Sequence, residues 1–359
     1  MIGLGKMGLS HVAIVRAHPG VQLVAACDTV AYLTDILAKY TGLKCYADLD
    51  EMLDKETLDA VVISTPSRLH AGMVQKALER GLHVFCEKPF VLDVADGQRL
   101  TQLAAAKGVA TQVGYHYRFV AAFQEAARVV RSGALGQVHH VRAEAYGPVV
   151  LKPKGGTWRS TPSEGGGALY DYACHAIDLV NFVAGVPASV SGVVRHGVFS
   201  RDVEDEVYCS LHFADGGSGQ LCVNWSDESF RKMSTKISVW GSRGRITADR
   251  QECQIYLREP HPGLADTPAG WTVRYTTELS QEVWFYLRGE EYSAQIDYFV
   301  KSCEQRRSDG ENCFQSALQA DRVVAMILAE SGGASAAGPG AGLTHSAPAA
   351  KGLLGRIFG

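Results

Sequence analysis

The sequence predicts an α/β fold in two parts, a doubly wound parallel sheet over residues 1–120 and an α+β domain over residues 121–330. Two patterns and the chain length carry this reading. Up to residue 120, short apolar runs at 21–27, 60–64, 83–86 and 109–113 alternate with amphipathic stretches such as 70–80 and 94–107, as parallel βαβ units require. After a linking helix at 121–132, longer β-rich runs follow at 138–146, 188–199, 207–213, 218–225 and 236–240. Their period-2 alternation is that of a sheet with one wet or interfacial face, interrupted by helices at 168–183 and 292–305 and closed by one at 313–330. A length of 359 residues, at about 150 per domain, fits two domains.

Composition excludes several classes of function. A formal net charge of -3 gives no concentrated basic face, so no nucleic-acid partner is expected. No apolar run reaches the roughly 18 residues of a membrane-spanning helix. The 9 cysteines include no CxxC pair, and an odd count in a chain of this length points to reduced thiols in the cytoplasm. Residues 331–359, rich in Gly and Ala, read as a flexible tail. Its end carries Leu353, Leu354, Ile357 and Phe358 between Lys351 and Arg356, the pattern of a weak docking peptide set against that of a frayed terminus.

Gly3-Leu4-Gly5-Lys6-Met7-Gly8 has the spacing G-x-G-x-x-G and leads into an apolar-periodic helix. Gly3 permits the tight turn, Gly5 lets pyrophosphate approach the backbone at Lys6 and Met7, and Gly8 lets helix pack on strand. Twenty residues after Gly8, the run 21–27 ends in Asp28, where a carboxylate can accept both hydroxyls of an adenosine ribose. A 2′-phosphate would meet a like charge there, and neither Thr29 nor Val30 supplies a basic group. NAD is therefore expected in preference to NADP. Only Met1 and Ile2 precede Gly3, whereas the strand feeding such a turn usually needs about five residues, so a truncated first strand or a stub is expected.

Two further motifs end predicted strands, Ser64-Thr65-Pro66 with His70 shortly after, and Glu87-Lys88-Pro89. In a doubly wound sheet, ligands lie beyond the carboxyl ends of the strands, so Thr65, Pro66, His70, Glu87 and Lys88 are expected around the crevice that holds the dinucleotide. Later, Gly165-Gly166-Gly167 leads to Asp171 and His175. Asp171, His175 and Asp178 stand at i, i+4 and i+7, on one face of a mostly apolar helix. Imidazole, with a reference pKa near 6.5, suits a general base for a hydroxyl proton at neutral pH. Lys88 would polarise the substrate oxygen, with Asp171 holding its ammonium or a neighbouring hydroxyl. The exchanged assignment, Lys88 as proton acceptor, stays open. No third ligand at a familiar spacing joins Asp171 and His175, so no metal is expected. Trp284, Tyr286 and Tyr292 read equally as core or as sugar platforms.

In order and spacing these motifs resemble the glucose-fructose oxidoreductase, inositol dehydrogenase and MocA (Gfo/Idh/MocA) family over residues 1–330. The resemblance implies an N-terminal Rossmann domain, a C-terminal domain on a large open, mostly antiparallel sheet, and NAD(P)-dependent redox chemistry on sugars, nucleotide sugars or polyols. It places the catalytic set on Lys88, Asp171 and His175, and substrate contacts on Tyr115, Arg118, Trp158 and Arg159. It also implies homodimers or homotetramers formed through the C-terminal sheet, one face of which is expected to be more apolar than a single helix layer covers. Ser67 departs from the pattern, standing where Asn is common. Two other functions compete: an NAD-using glycosidase that oxidises a sugar carbon transiently, and a non-enzymatic NAD-binding sensor, against which the retained acid/base set argues.

Overall fold

In the computed structural model the described residues are 1–153, 157–282, 284–285 and 290–333. Residues 331–333 close the last helix; the rest of the predicted tail, with its apolar end, and Tyr286 lie outside them.

The first half is built from short buried strands. β1 (Ala25–Cys27), β2 (Lys44–Tyr46), β3 (Ala60–Ile63), β4 (His83–Cys86) and β5 (Thr111–Val113) alternate with α1 (Lys6–Ala17), α2 (Ala31–Thr41), α3 (Leu49–Lys55), α4 (His70–Glu79) and α5 (Val94–Lys107). β1 pairs in parallel with β2, and β3 with β4 and β4 with β5. Ile2 joins the two groups, bridging in parallel to both Cys27 and Ile63. Ile2 thus occupies the central strand position between them. Of the run 21–27 only Ala25–Cys27 is strand, matching the three residues of β2 that pair with it.

Helix ends follow local chemistry. Asp48 and Asp93 accept the backbone N–H of Glu51 and Ala95 at the starts of α3 and α5, and Gly108 ends α5 in the left-handed region. Gly5 caps α1 with no side-chain acceptor, which leaves the first-turn amides of that helix without one.

The second half begins with α6 (Ala121–Arg131) and β6 (Val138–Tyr146), then α7 (Cys174–Val183), β7 (Ser189–His196), β8 (Glu206–His212), β9 (Ser218–Asn224), β10 (Ser234–Gly241), β11 (Gly244–Ala248), β12 (Glu252–Leu257) and β13 (Gly270–Tyr275). A short α8 (Thr276–Leu279), α9 (Glu290–Glu304) and α10 (Phe314–Gly333) complete it. The strands form one eight-stranded open sheet in the order β13-β12-β11-β10-β6-β9-β8-β7, antiparallel between neighbours except that β6 and β9 run parallel.

Val141, Ala143 and Ala145 of β6 are buried on the face against which α7 packs. On the other face Arg142 and Lys236 stand exposed near the middle of the sheet, and Tyr256, Trp271 and Tyr275 stand exposed toward its β13 edge. The 9 cysteines are all free thiols. Among the described residues no helix is long and apolar enough to cross a membrane.

Candidate active site

The glycine turn is shaped by contacts that exclude side chains at two of its three glycines. Gly3 has φ +88°, and a Cβ there would lie 2.5 Å from the carbonyl oxygen of Ser64. A Cβ at Gly8 would lie 2.0 Å from the carbonyl oxygen of Gly3, so α1 is pressed against the turn. At Gly5 a Cβ would meet nothing within 4 Å. Open space therefore stands directly over the uncapped N-terminus of α1, where a pyrophosphate finds amide donors and the positive end of the helix. Oδ2 of Asp28 accepts the N–H of Leu4 at 2.6 Å and Oδ1 that of Val30 at 2.8 Å. The carboxylate thus ties the glycine turn to the end of β1 and remains partly exposed. These residues fit a dinucleotide.

At the ends of β3 and β4, His70 lies between two loops, its Nδ1 2.8 Å from the carbonyl oxygen of Pro89 and its Nε2 3.0 Å from that of Thr65. It is fully buried and holds the Thr65-Pro66 and Lys88-Pro89 segments together rather than facing the crevice. Thr65 is partly exposed and Pro66 exposed. Glu87 is also buried: Oε1 lies 2.6 Å from Nε2 of His11 on α1, and Oε2 accepts the N–H of Lys88. Burial alone would push the Glu87 carboxyl up, but the hydrogen bond from His11 and the charge of Lys88 outweigh it and leave the pKa lowered. Glu87 therefore couples the glycine helix to the lysine turn from behind.

Lys88 points across to the second half of the chain. Its Nζ donates to the carbonyl oxygen of Asp171 at 2.9 Å and to Oδ1 at 3.0 Å, and Oδ2 of Asp171 accepts from Nε of Arg159 at 2.9 Å. Burial opposes the charge on Lys88, yet the Asp171 carboxylate prevails and holds the ammonium above its ordinary pKa. Asp171, buried between two cations, is held below the usual carboxylate range in spite of its burial. Arg159 stacks over its neighbour Trp158, 4.5 Å from the ring centroid, in a short 3-10 turn at Trp158–Ser160. Beside it lies a cavity of ≈ 120 Å³ lined by Val149, Thr157, Arg159, Ser160, Ser200 and Trp225. A larger cavity of ≈ 800 Å³, between Gln124, Arg131, Tyr298 and Lys301, has none of Lys88, Asp171 or His175 in its lining.

Asp171 and His175 do not share one regular α-helix. Leu169–Ala173 is a π-helical turn running into α7, which places Asp171 off the i, i+4 register expected for it. His175 is buried, with Nδ1 lacking a hydrogen-bond partner. Burial and the nearby Lys88 charge depress its pKa well below the ordinary value, so the imidazole is neutral at pH 7. Its ring is edged by Tyr115 and His116, with centroids 6.1 Å and 5.1 Å away.

Three further polar positions of this region are buried. The Asp178 carboxylate forms a buried pair with Arg118, Nη2 to Oδ1 at 2.6 Å. Arg118, expected near substrate, is 5% exposed, because a guanidinium taken out of water needs a carboxylate partner and finds it on α7. Tyr115 is 0% exposed and packs beneath His175.

Two residues of this neighbourhood stand outside the expected set of site residues. His116 stacks on Tyr292, with centroids 4.6 Å apart, and burial pushes its pKa down to about 3. Glu204 supports the start of the π turn, its carbonyl accepting Ala168 N–H and its Oε1 accepting Leu169 N–H at 2.9 Å. It comes from a loop whose spacing carries no signal.

Two models of one family match the chain: the oxidoreductase family's NAD-binding Rossmann fold over residues 1–115 and the GFO/IDH/MocA C-terminal domain over residues 123–247. The chain belongs to the Gfo/Idh/MocA oxidoreductase family. This NAD-binding oxidoreductase is 30% identical to an uncharacterized oxidoreductase of Schizosaccharomyces pombe, over 76% of the chain and 75% of that protein. It is 29% identical to scyllo-inositol 2-dehydrogenase (NAD(+)) of Bacillus subtilis, over 68% of the chain and 72% of that protein. Its fold matches GenD2 from gentamicin A biosynthesis, solved in complex with NAD, with TM-score 0.75 and 26% identity over 92% of this chain and 93% of that one.

Proposed function

We propose that this oxidoreductase transfers a hydride between NAD and a carbinol carbon of a sugar, nucleotide sugar or related polyol. The Gly3–Gly8 turn and Asp28 would hold the nicotinamide dinucleotide, which when bound would supply the hydride acceptor or donor. The chain's own residues manage the proton and the oxygen. His175, neutral at pH 7, takes the hydroxyl proton in the oxidative direction. Lys88, held as an ammonium by Asp171, donates a hydrogen bond to the same oxygen as negative charge develops on it. Arg159 and Trp158 stand at the rim, where a guanidinium and an indole face suit a hydroxyl-rich ring.

The observation that carries this reading is that Lys88 Nζ is tied to Asp171 at 2.9 and 3.0 Å while Nδ1 of the buried His175 has no partner, an arrangement in which Asp171 favours a charged lysine and burial a neutral histidine. It favours His175 over Lys88 as proton acceptor. Support for the substrate class comes from a relative, scyllo-inositol 2-dehydrogenase, which by its name oxidises a cyclic polyol with NAD. Support for NAD over NADP comes from Asp28 and from Thr29 and Val30, neither of them basic, beside it. The test is a panel of sugars, inositols and nucleotide sugars offered with NAD while NADH absorbance is followed; a substrate giving steady NADH supports the reading, and none doing so contradicts it.

Self-association through the outer face of the eight-stranded sheet is part of the same proposal. Trp271, Val273 and Tyr275 stand exposed at alternate positions of the edge strand β13, with Tyr256 paired to Trp271. An aromatic row of this kind is more apolar than an edge strand left in water usually carries.

A further inference from the structure

Helix α10 carries Phe314, Leu318 and Asp321 at i, i+4 and i+7, hence on one face. That face meets the segment that follows Lys88. Phe314 stacks on Phe90 with centroids 4.1 Å apart, Leu318 stands where a Cβ at Gly97 would come within 2.4 Å of its Cδ1, and Oδ2 of Asp321 accepts the N–H of Val91 at 3.3 Å. Residues 90 and 91 belong to no helix or strand and are 0% and 1% exposed, so the Val91 amide has no water to turn to. A buried N–H must find a protein acceptor, and this one comes from a residue 230 positions later.

The arrangement is unusual for a purely structural carboxyl. Oδ1 of Asp321 is buried without any hydrogen-bond partner, as is the hydroxyl of Tyr115. Burial raises the Asp321 carboxyl well above the usual carboxylate range, which disfavours its charge and leaves its acceptor oxygen as what it offers the Val91 amide.

We propose that Asp321 is a positioning residue, which by holding the Val91 amide fixes the turn that presents the Lys88 ammonium to Asp171. It touches neither substrate nor cofactor. Only the turnover part of its test rests on the hydride-transfer reading.

The test compares the full chain with Asp321→Asn, which keeps an acceptor oxygen, and Asp321→Leu, which keeps the shape and removes the acceptor. The first readout needs no substrate: the rate at which an amine-acylating reagent modifies Lys88, measured by peptide mass beside the thermal unfolding of the same samples. Asp321→Leu, which leaves the Val91 N–H without its acceptor, is expected to unfold at a somewhat lower temperature than the parent but to be folded under assay conditions, and to acylate Lys88 roughly 3- to 10-fold faster, the worth of one lost hydrogen bond. Asp321→Asn is expected to stay near the parent rate. With an oxidisable sugar, Asp321→Leu should lower kcat about 10- to 100-fold at unchanged KM for NAD, and Asp321→Asn should restore it. A parental acylation rate in folded Asp321→Leu, or an Asn variant as fast as Leu, overturns the proposal. Should leucine not be accommodated, Asp321→Ala is read the same way. A normal acylation pattern with no sugar oxidised counts against hydride transfer and not against Asp321.

Discussion

Nζ of Lys88 lies 3.0 Å from Oδ1 of Asp171 and 2.9 Å from its carbonyl oxygen, so one residue of the second half fixes both the position and the charge of the lysine from the first. Burial by itself would lower the Lys88 pKa, and the Asp171 carboxylate is the main group that opposes it. In Asp171→Asn the counter-charge is gone and burial governs. The Lys88 pKa then falls below its ordinary value near 10.4, and turnover acquires an alkaline decline that the parent lacks. A pH–rate profile of the two proteins checks this; identical alkaline limbs would show that Asp171 does not set the lysine's charge.

Cofactor choice rests on Asp28. The parent is expected to bind NAD more tightly than NADP, and Asp28→Ala to lose roughly 10- to 100-fold in NAD affinity, the value of a charge-assisted hydrogen bond. Because Asp28 also accepts the Leu4 N–H, part of that loss should extend to NADP through a loosened glycine turn. Fluorescence titration with both dinucleotides decides it, and tighter NADP binding by the parent would refute the assignment.

Two buried histidines make stability sensitive to acid. His116, at about 3, and His175, well below its ordinary value, stay neutral in the folded protein and protonate near pH 6.5 once unfolded. Their depressed folded pKa values mean that stability is full above about pH 6.5 and is lost as pH falls, for His116 down to about pH 3. Each contributes a slope approaching about 1.4 kcal/mol per pH unit. Urea midpoints at several pH values should show the decline, and His116→Phe, which keeps the stack on Tyr292, should make it shallower. An unchanged slope would contradict the burial of His116.

If β13 joins two copies, Trp271→Glu should convert the oligomer to a smaller species in sedimentation without altering NAD affinity, since it places a charge in an aromatic row. A parent that sediments as a monomer, or a variant that sediments as the parent does, removes β13 from the interface.

Much of the fold was legible because its signals are local. The run 83–86 and the stretch 94–107 match β4 and α5 residue for residue, and 138–146 matches β6, since buried strands and capped helices write their period directly into the chain. β11, β12 and β13 were not read, and in β13 the apolar alternation Trp271, Val273, Tyr275 faces outward rather than into the core. At the site, spacing singled out Lys88, Asp171 and His175, and the structure brings the Lys88 side chain onto Asp171. The π turn escaped notice because one extra residue in a helical turn leaves no mark on an apolar pattern, and Asp178 was drawn to Arg118 by a contact 60 residues apart in sequence. His116, Glu204 and Asp321 act through packing and backbone amides, which sequence spacing does not encode.

The central claim is that Lys88 and His175 jointly move the proton that accompanies hydride transfer to NAD. The most direct measurement is NADH formation from a sugar or polyol substrate by the parent, Lys88→Ala and His175→Ala, with NAD affinity measured on the same samples. The account predicts steady NADH from the parent, a loss of about 10²- to 10⁴-fold in each variant, and nearly unchanged NAD binding in both. It is contradicted if either variant turns over like the parent, or if the parent releases free sugar and a leaving group with no net NADH.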